Sequence, residues 1–177
     1  GYGDKLLMEK LSFKVPPGPP EPNCCSLNGP RGFGMLSEWA VMTSEEGLIV
    51  NFYGPGSFHG ILRDKTPVSL KWETDYPRSG SVRLTVEVET PHRFPLKLRI
   101  PAWSLQTSLA VTGGAKTEIQ EIAAGRYVTL DREWRKGDAI TLDFDMRLRA
   151  VSGDQEAAGQ VSLYRGPLLL AFDPHYN

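Results

Sequence analysis

Cysteine is nearly absent from this chain. There are two in 177 residues, Cys24 and Cys25, and they are neighbours. That excludes a disulfide framework, because adjacent cysteines can bridge only through a small strained ring. Histidine is scarce too: His59, His92 and His175 are scattered, and no two stand at metal-ligand spacing. An excess of either charge is missing, with 20 basic and 21 acidic residues and a net charge of -1. Neither nucleic acid nor an anionic membrane is therefore an expected partner. No apolar run nears the ~18 residues of a membrane-spanning helix. Residues 1–15 lack the layout of a signal peptide. The chain opens Gly1-Tyr2-Gly3 without Met, as expected for a piece of a longer protein, and localisation stays open. No Gly-rich phosphate loop follows a strand, and no Gly-x-Ser-x-Gly elbow is present. Nucleotide binding and serine hydrolase chemistry thus lack support.

Helical patterning is sparse. Asp4 could cap a short helix with Leu7, Met8 and Leu11 on one face. Pro16-Pro17-Gly18-Pro19-Pro20 then fixes the backbone as a stiff connector. Beyond the cysteines, Asn28-Gly29-Pro30 reads as a helix start. Gly32, Leu36, Trp39, Ala40 and Thr43 recur at helical spacing, which predicts a helix over about residues 30–42.

From residue 47 the period drops to two. Leu48–Tyr53 reads as a short buried strand. Val68, Leu70 and Trp72 alternate with polar neighbours, as do Val82, Leu84, Val86 and Val88. Leu96, Leu98 and Ile100, then Val128 and Leu130, then Ile140, Leu142, Phe144 and Met146 continue the pattern, and Val161 and Leu163 lead to Leu168–Phe172. Alternation means one face on a core and one in water. Turn signals recur, among them Gly113-Gly114 and Lys136-Gly137-Asp138, while Gly54-Pro55-Gly56-Ser57 reads as a turn. The expectation is an all-β fold of eight to ten strands, an antiparallel β-sandwich of jelly-roll type.

The candidate chemistry is thin downstream. Trp72 falls in phase with the core. Trp103 and Trp134 sit at strand ends, where packing is the favoured reading and sugar stacking the alternative. Glu45-Glu46 and Asp143 with Asp145 are the visible carboxylate pairs, and both read as solvated surface. His92 lies in a hairpin turn and reads as solvated, whereas His59 could reach a cleft. What remains is Cys24-Cys25, just before a helix N-terminus, where free amides and partial positive charge lower a thiol pKa. The pair is either a reduced, inert pair or two thiolates on a soft metal such as zinc. Zinc would need about two more ligands, with Glu21, Glu9 and Asp4 near in sequence.

Asn23-Cys24-Cys25-Ser26-Leu27-Asn28-Gly29-Pro30 resembles the cysteine motif of glycoside hydrolase family 127, the β-L-arabinofuranosidase-like family. Further marks agree in order: Glu46–Tyr53, Glu73–Gly80, Leu96–Trp103, Tyr127–Asp138 and Val161–Leu168. The resemblance implies an (α/α)6 catalytic barrel followed by β-sandwich domains. Residues 1–43 would be a remnant of that barrel and residues 44–177 the sandwich. It also implies a retaining mechanism in which zinc-bound Cys24 is the nucleophile, Cys25 is a further zinc ligand, and a glycan is the substrate. The family's Glu-x-Cys ligands and its acid/base glutamate have no match here, so this chain alone is expected to be inactive. The alternative is a non-catalytic β-sandwich module that binds glycan or packs on a catalytic partner. The apolar face of helix 30–42 would favour self-association.

Overall fold

The computed structural model describes residues 24–114 and 122–171, with helix side chains from residue 29 onward. The helix expected near Asp4, the proline connector and His175 lie outside the described residues. The chain divides into two compact units at residues 35 and 36.

Helix α1 runs Cys24–Ala40, with Pro30 inside it. It starts a turn and a half earlier than its sequence suggests, so Asn28 and Gly29 are helical rather than capping. Pro30, lacking an N–H, therefore costs α1 one internal hydrogen bond instead of sitting where that bond is absent anyway. The helix also stops sooner. Val41–Thr43 forms strand β1, and Thr43 leaves the helical face it was expected to share.

Eleven further strands follow among the described residues. They are β2 (Leu48–Val50), β3 (Gly56–Ile61), β4 (Pro67–Thr74), β5 (Ser81–Val88), β6 (His92–Arg99) and β7 (Ser108–Thr112). After these come β8 (Tyr127–Trp134), β9 (Asp138–Asp143), β10 (Leu148–Ser152), β11 (Val161–Arg165) and β12 (Leu168–Leu170). They make three open sheets, ordered β1-β2-β6-β8, β3-β4-β5-β9-β7 and β10-β11-β12. All pairings are antiparallel except β2 with β6, where Leu48 meets Leu96 and Val50 meets Leu98 in parallel register. The fold is thus mostly β with one long helix, and the expectation of antiparallel pairing fails at that one ladder. Gly47 makes the close approach possible, because a Cβ there would stand 2.0 Å from the Pro95 carbonyl oxygen.

The alternation is realised as burial. Val82, Leu84, Val86 and Val88 on β5 face inward, as do Val68, Leu70 and Trp72 on β4 and Leu96 and Leu98 on β6. Val128, Leu130 and Trp134 join them from β8. Side chains of the first two sheets merge in one hydrophobic cluster. Each such large apolar side chain contributes about 1.5–3 kcal/mol relative to exposure.

One inward position on β8 carries a charge. Arg132 is buried, its guanidinium 5.0 Å from the centre of the Trp134 ring. It donates to Asp138 Oδ2 at 3.1 Å and to the Gly113 carbonyl at 2.8 Å. Asp138 also accepts from the Arg135 amide at 3.1 Å. Gly137, at φ +84°, makes the turn that folds Asp138 back onto this group.

Candidate functional site

The backbone places Cys24 and Cys25 as the first two residues of α1, inside its first turn rather than before it. Amides in the first turn of a helix have no intrahelical acceptor, and the helix dipole is positive at that end. The side chains of both cysteines lie outside the described residues. Two thiols are half of the tetrahedral set that zinc takes in structural sites. Among the described residues no group of three or more His, Cys, Asp and Glu comes together that could hold a metal.

The opposite end of α1 is tied down by residues to which the sequence assigns no role. The amides of Asn51 and Phe52 both donate to the Ala40 carbonyl, at 2.9 and 3.4 Å. Asn51 Nδ2 donates to the Trp39 carbonyl at 3.0 Å, and its Oδ1 accepts from the Tyr127 hydroxyl. These bonds satisfy helix carbonyls that otherwise lack partners. Next to this end, Leu36, Ala40, Phe52, Ser57, Phe58 and Trp72 line an apolar cleft of about 230 Å³. Along α1 itself Phe33, Leu36 and Trp39, three residues apart, are exposed.

A second cleft, of about 290 Å³, is lined by Glu45, Arg63, Asp64, His92, Arg93 and Phe94 among others. Its basic side chains face acids: Arg63 meets Glu45 at 2.8 Å, His92 meets Asp64 at 2.7 Å and Arg93 meets Asp131 at 3.1 Å. Hydrogen bonds from Thr66, ahead of the contribution from His92, hold the Asp64 carboxyl below its ordinary range. His92 thus lies against a carboxylate rather than being simply solvated. His59 is exposed on β3 and bonds Ser69 Oγ at 2.8 Å.

The remaining candidates sort by burial. Trp134 is fully buried, and its Nε1 donates to the Phe94 carbonyl at 2.9 Å, so it presents no face to a sugar. Trp103 is partly buried and packs on the core, its ring edge-on to Phe144. Trp72 lies in the core as expected, with Nε1 buried and unpartnered among the described residues. Glu45 and Glu46 are exposed ion-pair partners of Arg63 and Lys97. Asp143 is exposed, but the Asp145 side chain is only 6% exposed. Arg147 grips it through both carboxylate oxygens, at 2.8 and 2.6 Å. Those bonds push its pKa down to about 2. The expected solvated pair is therefore one surface carboxylate and one structural one.

The family model described as "Beta-L-arabinofuranosidase, GH127 middle domain" matches residues 47–146. No curated protein matches. Among solved structures, the chain is similar to a GH127 β-L-arabinofuranosidase from Geobacillus stearothermophilus T6. It has 30% identity and a TM-score of 0.72 over 82% of this chain and 23% of that one. It is similar to a glycoside hydrolase at 29% identity and TM-score 0.74, over 90% of this chain and 28% of that one. A further GH127 β-arabinofuranosidase matches at 26% identity and TM-score 0.68, over 82% and 25%. The chain thus spans about a quarter of the length of the solved relatives it matches.

Proposed function

Because this chain belongs to glycoside hydrolase family 127, the β-L-arabinofuranosidase family, we propose that it is part of a retaining glycoside hydrolase. Its two large sheets form the sandwich of the middle domain. Helix α1 is the last piece of a helical catalytic domain that lies largely outside these residues. The observation that carries the reading is the family match over residues 47–146, with Cys24-Cys25 at the head of the helix that leads into it.

In this reading Cys24 is the nucleophile. Its thiolate attacks the anomeric carbon, forming a C–S bond as the glycosidic C–O bond breaks. The leaving oxygen takes its proton from a carboxylic acid outside this chain. Water then attacks the same carbon and gives a proton back to that carboxylate, and the thiolate leaves. Two inversions return the original configuration. The N-terminal amides of α1 favour the ionised sulfur in both steps. In the intact enzyme Cys25, together with Cys24, would be a ligand to zinc completed by donors from elsewhere in the protein.

The middle domain supports this chemistry through the bonds at the C-terminal end of α1, which fix the helix end to β8 through Asn51. The substrate is a furanosidic glycan. The exposed stripe Phe33, Leu36 and Trp39 is where α1 meets the rest of the enzyme, or a second copy when that part is missing. The test is hydrolysis of an aryl β-L-arabinofuranoside by the intact protein. Activity should be lost in Cys24→Ser, and the 177-residue chain alone should be inactive. Full activity of Cys24→Ser would overturn the assignment.

A further inference from the structure

The cleft of about 290 Å³ lies at the end of β2 opposite to Asn51, and the chemistry proposed for Cys24 makes no use of it. Two loops and the start of β6 meet there. In the β1–β2 turn the amides of Glu46 and Gly47 donate to Ser44 Oγ at 3.3 and 3.1 Å, and the Ser44 amide donates to the Gly47 carbonyl at 2.8 Å. In the β3–β4 loop the Leu62 amide donates to the Thr66 carbonyl at 2.9 Å, and the Thr66 amide donates to Asp64 Oδ1 at 3.0 Å. Each loop is thus closed by its own bonds. The first presents Glu45 and Glu46 to the cleft, the second presents Arg63 and Asp64, and β6 adds His92 and Arg93. The side chains are then held from loop to loop and strand to loop. Arg63 Nη1 meets Glu45 Oε1 at 2.8 Å, and His92 Nε2 meets Asp64 Oδ2 at 2.7 Å. Lys97 holds Glu46 through Oε2 at 2.9 Å. Exposed bridges of this kind contribute little to stability, so their effect here is to orient the groups around the cleft.

The lining selects by chemistry. Three carboxylates face two guanidinia and an imidazole, so neither an anion nor a cation finds walls of one opposite sign. A hydroxyl both donates and accepts. A ring with adjacent hydroxyls can donate to the second oxygen of Glu45 or Glu46 and accept from the guanidinium of Arg63 or Arg93. Leu62 and Phe94, both buried, supply the apolar part of the lining, against which the C–H face of such a ring can rest. The volume is just under the ~300–1,000 Å³ range of small-molecule sites. We propose that this cleft is a binding subsite for a neutral sugar unit, built entirely from the β1–β2 turn, the β3–β4 loop and β6. The proposal rests on the glycan substrate inferred above: the cleft would hold one unit of that glycan, with Glu45 and Arg63 as its main hydrogen-bonding pair.

The experiment is an NMR titration of the 177-residue chain with an oligosaccharide of L-arabinofuranose, and in parallel with inorganic phosphate and with calcium. The sugar should shift the amides of residues 45–47, 62–66 and 92–94 in a saturable way, and the two ions should not. Glu45→Ala/Arg63→Ala should weaken the sugar about tenfold, as expected for the loss of hydrogen bonds to charged groups, with the remaining amide spectrum unchanged. Arg63→Lys keeps the charge but not the planar fork and should also weaken it, which keeps the test open should the double variant fail to fold. No saturable shift with the sugar would overturn the proposal. So would equal affinity in wild type and in both variants, or phosphate or calcium moving the same amides and displacing the sugar. Hydrolysis is not read in this titration, so its failure is separate from a failure of the role given to Cys24.

Discussion

The side-chain amide of Asn51 joins two structures that the sequence keeps apart. It donates to the Trp39 carbonyl at 3.0 Å in the last turn of α1, and its oxygen accepts from the Tyr127 hydroxyl on β8. The helix that opens with Cys24-Cys25 is thus fixed at its far end by a residue of the β2–β3 loop and a residue of β8. Asn51→Ala removes both bonds and should destabilise by about 1–3 kcal/mol, at a net of about 0.5–1.5 kcal/mol for each. Tyr127→Phe removes one of them and should cost about 0.5–1.5 kcal/mol, and the double variant should cost less than the sum, because either single change already breaks the bond between Tyr127 and Asn51. Denaturant unfolding of the four proteins measures the coupling. Strict additivity would mean that Asn51 is not the common link.

Arg132 is the charged residue at an inward position of β8, and Asp138 and the Gly113 carbonyl are among the groups that meet it there. Arg132→Ala leaves Asp138 buried without its cation and should cost about 3–5 kcal/mol. Asp138→Asn should cost less if its oxygen keeps the Arg135 amide. Thermal and urea unfolding of each variant give the comparison, and a loss below about 1 kcal/mol for Arg132→Ala would place the pair among ordinary surface bridges.

Acid should unfold this protein partly through Asp145. The bonds from Arg147 lower its pKa from 3.8 to about 2 in the folded chain. A carboxyl whose folded pKa is depressed binds fewer protons folded than unfolded. The stability it contributes is complete above the ordinary value and is lost as pH falls from about 4 towards 2. Asp145→Asn should therefore flatten the stability profile in that window and leave its shape near neutral pH unchanged. An unaltered acid limb in the variant would remove Asp145 from the cause.

Zinc should separate the fragment from the intact enzyme. Two thiols supply half of a tetrahedral set, and among the described residues no group of three or more His, Cys, Asp and Glu comes together. The purified 177-residue chain should hold well under one equivalent after dialysis. The intact protein should hold one, and Cys25→Ser should lose it. Metal analysis on the three samples decides this, and one tight equivalent in the short chain would mean that its own residues complete the site.

Much of the β structure is legible in the sequence because burial imposes a period of two. Val82, Leu84, Val86 and Val88 announce β5 and its inward face. The same logic places Arg132 inward, in step with Val128, Leu130 and Trp134, though its cover by Asp138 requires the tight turn at Gly137. The turn expected at Gly54-Pro55-Gly56-Ser57 overlaps the start of β3, which has no clear sequence signal because Gly56 and Gly60 interrupt it and its side chains are mostly exposed. Its pairing with β4 is a tertiary fact. β1 was absorbed into a helix because Val41-Met42-Thr43 continues the helical spacing from Leu36. The parallel ladder of β2 and β6 has no local signature at all. For the site, chemistry alone left Cys24 and Cys25 between an inert pair and a metal pair, and only the family resemblance gave them roles. Asn51 and Tyr127 lie within two of the stretches that carry the resemblance, but no role attaches to them there, because their importance arises from where α1 ends.

The proposed role of Cys24 as the nucleophile of the intact protein is the central claim. The most direct measurement is peptide mass analysis of the intact protein, acid-quenched during turnover of an aryl β-L-arabinofuranoside. The account predicts one pentosyl residue on the peptide that contains Cys24, absent when Cys24 is serine and absent without substrate. Turnover that proceeds at the wild-type rate in Cys24→Ser, with no sugar on that peptide in the wild type, would contradict it.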